Sequence, residues 1–232
     1  MEDYKLKATH PQQYDSSELD WRITGDPSHS SRKWFQGYLE DNIENVSGKT
    51  IVDIGCGVGW LFPFLKSKGA RKIQGIEPSH RNVEHCRVTY PDVNVFEGTL
   101  ENFVPKMTFD IAISVAVFEH IFDIEIAFRQ VAQLVKSGGN FYLIIGDKDF
   151  NIKSHVSRKN AYVVKVDAQE LGDGVVATKT AYEECTIYDI FRPLEKIIDS
   201  ANLAGFHLEK KVDMHGSTEE TVFCLLVLKK TH

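Results

Sequence analysis

The chain has 232 residues, 42% hydrophobic and 26% charged, with a formal charge of -6, the balance of a soluble globular protein with one core of ordinary size. An acidic total without a lysine-arginine cluster argues against a surface built to neutralise phosphates, so nucleic acid is not an expected partner. Cys56, Cys86, Cys185 and Cys224 form no C-x-x-C pair, the opening Met-Glu-Asp-Tyr-Lys-Leu-Lys lacks an apolar leader, and the longest apolar run, Val222 to Leu228, is too short for a bilayer. The expectation is a cytoplasmic protein with reduced thiols and no membrane segment, a monomer or homodimer.

Residues 1–31 are polar and interrupted by Pro11, Gly25 and Pro27, so no sustained period forms. Tyr14, Trp21 and Ile23 are more apolar bulk than a solvated tail carries, and the segment is expected to fold as a lid over a ligand mouth. From Ser31 to Val46, Trp34, Phe35, Tyr38, Leu39 and Ile43 recur at helical spacing and Ser47-Gly48 stops the pattern, predicting a helix.

Thr50-Ile-Val-Asp-Ile-Gly-Cys-Gly-Val-Gly-Trp60 is an apolar run that ends in an acid and meets three glycines on alternate residues. It reads as a buried strand, a tight turn and the start of a helix. Gly55, Gly57 and Gly59 strip the turn of Cβ atoms, so a nucleotide-sized ligand can lie against the backbone. The dinucleotide fingerprint needs a further glycine where this chain has Trp60, which disfavours a nicotinamide-dependent dehydrogenase. Asp53, beside the turn, suits a ligand with a cationic amino acid head.

A short helix follows through Trp60, Leu61, Phe64 and Leu65, with Pro63 tolerable in its first turn and Gly69 closing it. Lys72 to Glu77 is a second strand. Its terminal acid lies about twenty residues past the glycine turn, where nucleotide-binding α/β units place the carboxylate for a ribose diol. Ser79 to Tyr90 is a helix and Val93 to Gly98 a third strand; Phe109 to Val115, apolar throughout, is expected to be central and parallel. Then come Ala116-Val-Phe-Glu-His-Ile121, a helix from Asp123 to Lys136, the turn Ser137-Gly-Gly-Asn140 and a fifth strand, Phe141 to Ile145. Strands and helices alternate, which predicts an α/β, doubly wound, mostly parallel sheet.

The last third breaks this rhythm. Ala161 to Asp167 and Val175 to Thr180 flank Leu171-Gly-Asp-Gly174, the signal of an inserted β-hairpin. Tyr188 to Ala204 reads as a helix with Ile190, Leu194, Ile197, Ile198 and Leu203 on one face, stopped by Gly205. Phe206 to Val212 and Glu220 to Lys229 form an antiparallel pair at the sheet edge.

Val52-Asp-Ile-Gly-Cys-Gly-Val-Gly59, the acid Glu77, the strand before Phe118-Glu-His-Ile121, and Leu134-Val-Lys-Ser-Gly-Gly-Asn-Phe-Tyr142 together resemble the class I S-adenosylmethionine-dependent methyltransferases. The last two look most like the ubiquinone-biosynthesis O-methyltransferases and their small-molecule relatives, whose opening segment Trp21-Arg-Ile-Thr-Gly25 and His29-Ser-Ser-Arg32 also echo. The resemblance implies a Rossmann-like fold with an antiparallel closing strand and a cofactor-binding core at 48–145; the lid at 1–31, an insertion at 151–184 that matches no family pattern and is expected to shape the substrate side, and a closing helix and hairpin at 188–232 complete one expected domain. It further implies S-adenosylmethionine as methyl donor and a small-molecule acceptor. Carried over residue by residue, Asp53, Gly55, Cys56, Gly57, Gly59, Glu77, Pro78, Thr99, Leu100 and Ser114 hold the cofactor. Thr99 stands where the family often has an acid facing the adenine, flanked here by Glu97 and Glu101. Ala116 replaces an acid that some relatives use for a metal, so no metal is expected, and Ser114-Val-Ala-Val117 is unlike the Pro-Pro-aromatic motif of amino-methylating DNA enzymes.

Methyl transfer from a sulfonium is an in-line displacement, so the protein must hold the acceptor near attack geometry and, for an alcohol or phenol, take its proton. His120 is the candidate base or acceptor-orienting residue, with Glu119 beside it; the alternative is that both only cap or orient the next helix. Tyr14, His29, His155, Arg158 and Tyr188 are further pocket candidates, and His207 reads as structural. The reading is methyl transfer, at oxygen in preference to nitrogen; N-methylation of a small metabolite and a non-catalytic S-adenosylmethionine-binding domain stand as alternatives.

Overall fold

The computed structural model describes residues 15, 30–157, 163–182, 186–216 and 219–231. Nearly all of the expected lid, with Tyr14 and His29, lies outside these residues, as do Arg158 and the side chain of His155.

Helix α1 (Ser30–Asn42) leads into strand β1 (Thr50–Ile54), followed by α2 (Phe62–Ser67), β2 (Lys72–Glu77), α3 (His80–Thr89) and β3 (Asn94–Glu97). After a 3-10 turn at Leu100–Asn102 come β4 (Phe109–Val115), a second 3-10 turn at Phe118–His120, α4 (Ile124–Leu134) and β5 (Val135–Gly146). Seven strands form the main sheet in the order β3-β2-β1-β4-β5-β10-β9, where β9 is Phe206–His215 and β10 is Thr221–Lys230. The first five are parallel, β10 runs antiparallel to β5, and β9 pairs antiparallel with β10. This is the expected doubly wound sheet with an antiparallel closing strand.

Every residue of β1 is buried, which is why its sequence is continuously apolar instead of alternating. Ile51 packs on the face covered by α1, α2 and α3, whereas Val52 and Ile54 pack on the face covered by α4 and the helix α6 (Leu194–Leu203). Each such side chain contributes roughly 1.5–3 kcal/mol by leaving water. Helix α4 buries Ile124, Ala127, Phe128, Val131 and Leu134 as one stripe, and the Asp123 side chain caps it by accepting from Ile126 N–H at 3.0 Å. In α3 the cap is Ser79, which accepts from Asn82 N–H.

Between α5 (Lys148–Ser157) and α6 the chain builds a separate antiparallel sheet, β6 (Val163–Gly172), β7 (Val175–Tyr182) and β8 (Thr186–Phe191). Gly172, Asp173 and Gly174 all have positive φ, the left-handed turn that joins β6 to β7. One expectation fails here. The helix expected from Tyr188 begins only at Leu194, and Tyr188 to Phe191 belong to β8, because Pro193 lacks an N–H and starts a helix more readily than it continues one. The fifth strand is also longer than expected: β5 follows α4 without a loop at Val135.

Candidate active site

A cavity of about 350 Å³ opens at the carboxyl ends of β1, β2 and β4, with the glycine turn as its floor. The N–H groups of Gly55 and Cys56 both donate to the Ile76 carbonyl, at 2.8 and 3.1 Å, which ties the turn to β2. Gly55, Gly57 and Gly59 have φ of 69°, 55° and 75°, so all three use the conformational freedom of glycine. Their surroundings differ. A Cβ on Gly55 would come within 2.3 Å of Val117, and one on Gly59 within 2.6 Å of the Phe62 ring, whereas one on Gly57 would meet nothing within 4 Å. Gly55 therefore admits the segment after β4 and Gly59 admits an aromatic; Gly57 opens towards the cavity that it lines.

Glu77, 5% exposed, stands on the cavity wall. Its carboxylate accepts from Gly57 N–H at 2.9 Å, Ser79 N–H at 3.0 Å and Asn82 Nδ2 at 3.2 Å. Burial raises its pKa, against those three donors, which favour the charged form. Pro78, Thr99 and Leu100 line the same cavity, as do Glu101, which flanks Thr99, and Asn82, which sequence reasoning does not single out. Asn82 is within reach of such reasoning, since it sits three residues past a helix-capping serine.

Asp53, Cys56, Gly59, Ser114 and Glu119 do not line the cavity. Ser114 donates to the Ile54 carbonyl at 3.1 Å inside the sheet, and Cys56 lies under the turn beside Cys86, whose thiol reaches the Gly57 carbonyl at 3.3 Å. Asp53 is buried behind the turn; desolvation, with Glu77 nearby and Arg32 opposing, pushes its pKa up to about 7. Its Oδ2 has no hydrogen-bond partner among the described residues. Arg32, on α1, lines the cavity with its guanidinium 5.3 Å from the centre of the Trp60 ring, a cation-π distance. Burial lowers its pKa against the attraction of Asp53. Tyr188 is packed in the small sheet's own core, and His207 is exposed on β9.

The far wall is the segment after β4. Ala116 holds φ at 53° while its N–H donates to the Ile144 carbonyl at 2.9 Å, a left-handed conformation that costs a non-glycine residue about 1–2 kcal/mol. It turns the chain so that Val117, His120 and Ile121 line the cavity. Glu119 points inward instead, and Oε1 accepts from Gly146 N–H; burial raises its pKa, opposed by that donor and by His120. Nδ1 of His120 lies 2.8 Å from Oδ1 of Asp189, on β8. Burial works against the imidazolium, but Asp189, with Glu119 and the Tyr188 carbonyl, outweighs it and leaves the pKa raised. Neither Asp189 nor the nearby Arg192 emerges from the sequence, because that stretch reads as helix.

Away from the cavity, His80, Glu84 and Glu97 bring ligand-type atoms within 4.8 Å of one another. Arg87 already pairs with both glutamates, at 2.5 and 3.2 Å, so a side-chain cation occupies their field.

Residues 29–165 match the family model described as a methyltransferase domain, more than half of the chain. The chain belongs to this methyltransferase family. Among curated relatives, the domain is 29% identical over 129 residues to the ubiquinone biosynthesis O-methyltransferase of Escherichia fergusonii, covering 53% of this chain and 54% of that protein. The corresponding protein of Bradyrhizobium diazoefficiens is 27% identical over 143 residues, covering 55% of each. The chain spans about half the length of the curated relatives it matches. A solved structure of a candidate S-adenosylmethionine-dependent methyltransferase from Listeria monocytogenes superposes with a TM-score of 0.71 at 18% identity, covering 86% of this chain and 99% of that one. The fold of the methyltransferase domain is thus the class I, Rossmann-like one.

Proposed function

We propose that the chain binds S-adenosylmethionine in this cavity and transfers its methyl group to the oxygen of a small-molecule acceptor, with His120 taking the acceptor's proton. The observation that carries the reading is Gly57: the glycine turn is open at this residue alone, and its N–H is bound to the carboxylate of Glu77 on the same cavity wall. A nucleoside fits such a site, since Glu77 has the acceptor oxygens that a ribose diol needs and the bare backbone at Gly57 allows close approach. Pro78, Thr99 and Leu100 would flank the base, and Arg32 would meet the carboxylate of the amino acid part. Asp53 would act from behind the turn as a negative charge facing the ammonium, not as a wall residue.

Bound there, S-adenosylmethionine supplies an electrophilic methyl on a sulfonium. The chain's own part is to hold the acceptor in line and to manage one proton. The acceptor hydroxyl gives its proton to the His120 imidazole as its oxygen takes the methyl, and the imidazolium formed is stabilised by Asp189. Support for oxygen as the atom methylated comes from the relatives named above and from the presence of a histidine on the cavity wall, a proton acceptor that an alcohol or phenol needs.

Calorimetric titration with S-adenosylmethionine, with its demethylated product and with NAD tests the reading. Binding of the first two and none of the third is expected; NAD binding without a response to S-adenosylmethionine overturns it.

A further inference from the structure

Strand β8 is not part of the methyltransferase sheet, yet it reaches the cavity wall. Two side chains, one on the strand and one just past its end, act on the segment 118–122. Arg192, at its end, donates through Nη1 to the Phe118 carbonyl at 3.3 Å and through Nη2 to the Ile121 and Phe122 carbonyls at 2.6 and 2.7 Å, while Nη1 also holds the Ile190 carbonyl of its own strand at 3.1 Å. One guanidinium thereby fastens the segment after β4 to the inserted sheet. Three residues earlier, Asp189, 7% exposed, sets Oδ1 at 2.8 Å from Nδ1 of His120. A carboxyl group this buried needs a donating partner.

We propose that the inserted β6-β7-β8 sheet serves to deliver Asp189 as the positioning residue of His120, keeping the imidazole in its Nδ1-protonated tautomer so that Nε2 is the nitrogen that takes a proton. The chemistry of a carboxylate on an imidazole N–H gives two effects. It fixes the ring's orientation and tautomer, and it stabilises the imidazolium when a proton arrives. The proton count closes: the acceptor's O–H proton goes to Nε2, the acceptor oxygen bonds the methyl carbon as the carbon-sulfur bond breaks, its electron pair stays on a neutral thioether, and Asp189 neither gives nor takes a proton in the step. The groups facing His120 are Asp189 and the Tyr188 carbonyl on β8, Glu119 on its own segment, and the Arg192 guanidinium beside Glu119; Arg32, Glu77 and Glu101 share the cavity wall. Of these, Asp189 is the carboxylate in contact with the ring. The small sheet thus acts on the base through β8.

This inference rests on the methyl-transfer reading, but its test needs neither donor nor acceptor. Nitrogen-15 NMR of the histidine rings, with the His120 signals identified by their loss in His120→Gln, gives both the tautomer and the titration midpoint. In the wild-type chain the neutral His120 ring is expected to carry its proton on Nδ1. In Asp189→Asn the midpoint should fall by roughly 1 to 3 pH units, the range for losing an opposite charge at contact, and Asp189→Glu should restore most of it. A wild-type ring protonated on Nε2 overturns the proposal, whether or not Asp189→Asn folds; so does an unmoved midpoint in a folded Asp189→Asn. Calorimetry on the same samples separates the two readings: failure of the wild-type chain to bind S-adenosylmethionine ends the proposed function, whereas the tautomer and midpoint alone decide the role of Asp189.

Discussion

Gly57 and Gly59 are two residues apart, share a left-handed backbone and differ in what a methyl group would strike. Alanine at either site carries about 1 kcal/mol of backbone strain. At Gly57 the added carbon enters the cavity, so Gly57→Ala should keep the fold and weaken S-adenosylmethionine binding by about tenfold or more, the scale of an overpacked contact. At Gly59 it would stand 2.6 Å from Phe62 and 3.0 Å from Tyr90, so Gly59→Ala should lower the melting temperature by several degrees before it touches affinity. Calorimetry and thermal melts on both variants check this, and equal affinity loss at equal stability would contradict the distinction. The sequence could mark all three glycines as a bare turn. It could not separate their tasks, because the direction of each missing Cβ depends on local dihedrals and on Val117, Phe62 and Tyr90, which come from other parts of the chain. Ser114 and Cys56, expected at the cofactor, do not line the cavity for a related reason: lying beside the turn in sequence says nothing about which side of the sheet a side chain takes.

The parallel elements were readable because strands buried on both faces must be continuously apolar, and glycine, serine or proline marks each end. Strand β8 was not. Ile190, Leu194, Ile197 and Ile198 happen to fit a helical period across Pro193, and the periodic signal overrode the stronger local one, a β-branched and aromatic run ending just before a proline. With the strand went Asp189 and Arg192. Arg192 is buried enough that its pKa is lowered to about 10, against the pull of Glu119 and Asp123. Replacing it by alanine leaves the Phe118, Ile121 and Phe122 carbonyls without this donor and removes a cation near Glu119. Arg192→Ala should therefore cost roughly 1.5–3 kcal/mol and speed amide hydrogen exchange in 117–122 and 186–191 while β1, β2 and β4 stay protected. Uniform loss of protection across both sheets would mean that the small sheet is no separable unit.

At the scale of the whole molecule, the cavity and the turn beneath it gather ionisable groups whose burial makes stability depend on pH. Asp53 has its pKa raised to about 7 from 3.8, and Glu77 is raised in the same direction. For a carboxyl raised on folding, both states are protonated at low pH; as pH climbs past the unfolded value the unfolded chain releases its proton first, and stability falls until the folded value is passed. His120, also raised, adds loss in the same sense at higher pH, since its protonated form is the one that folding favours. The unliganded domain should thus lose stability between about pH 4 and pH 7, at up to roughly 1.4 kcal/mol per pH unit from Asp53 alone. Asp53→Asn removes that part of the slope, so its melting temperature should gain on the wild type as pH rises from 4.5 to 7.5. Bound S-adenosylmethionine should act the same way on the wild-type chain, because its ammonium favours the ionised carboxyl, and the ligand's stabilisation should be larger at pH 7.5 than at pH 4.5. In Asp53→Asn that pH dependence should shrink. Melts of both proteins at the two pH values, with and without ligand, read all four quantities, and parallel pH slopes for wild type and variant would show that the Asp53 carboxyl is not held protonated by its burial.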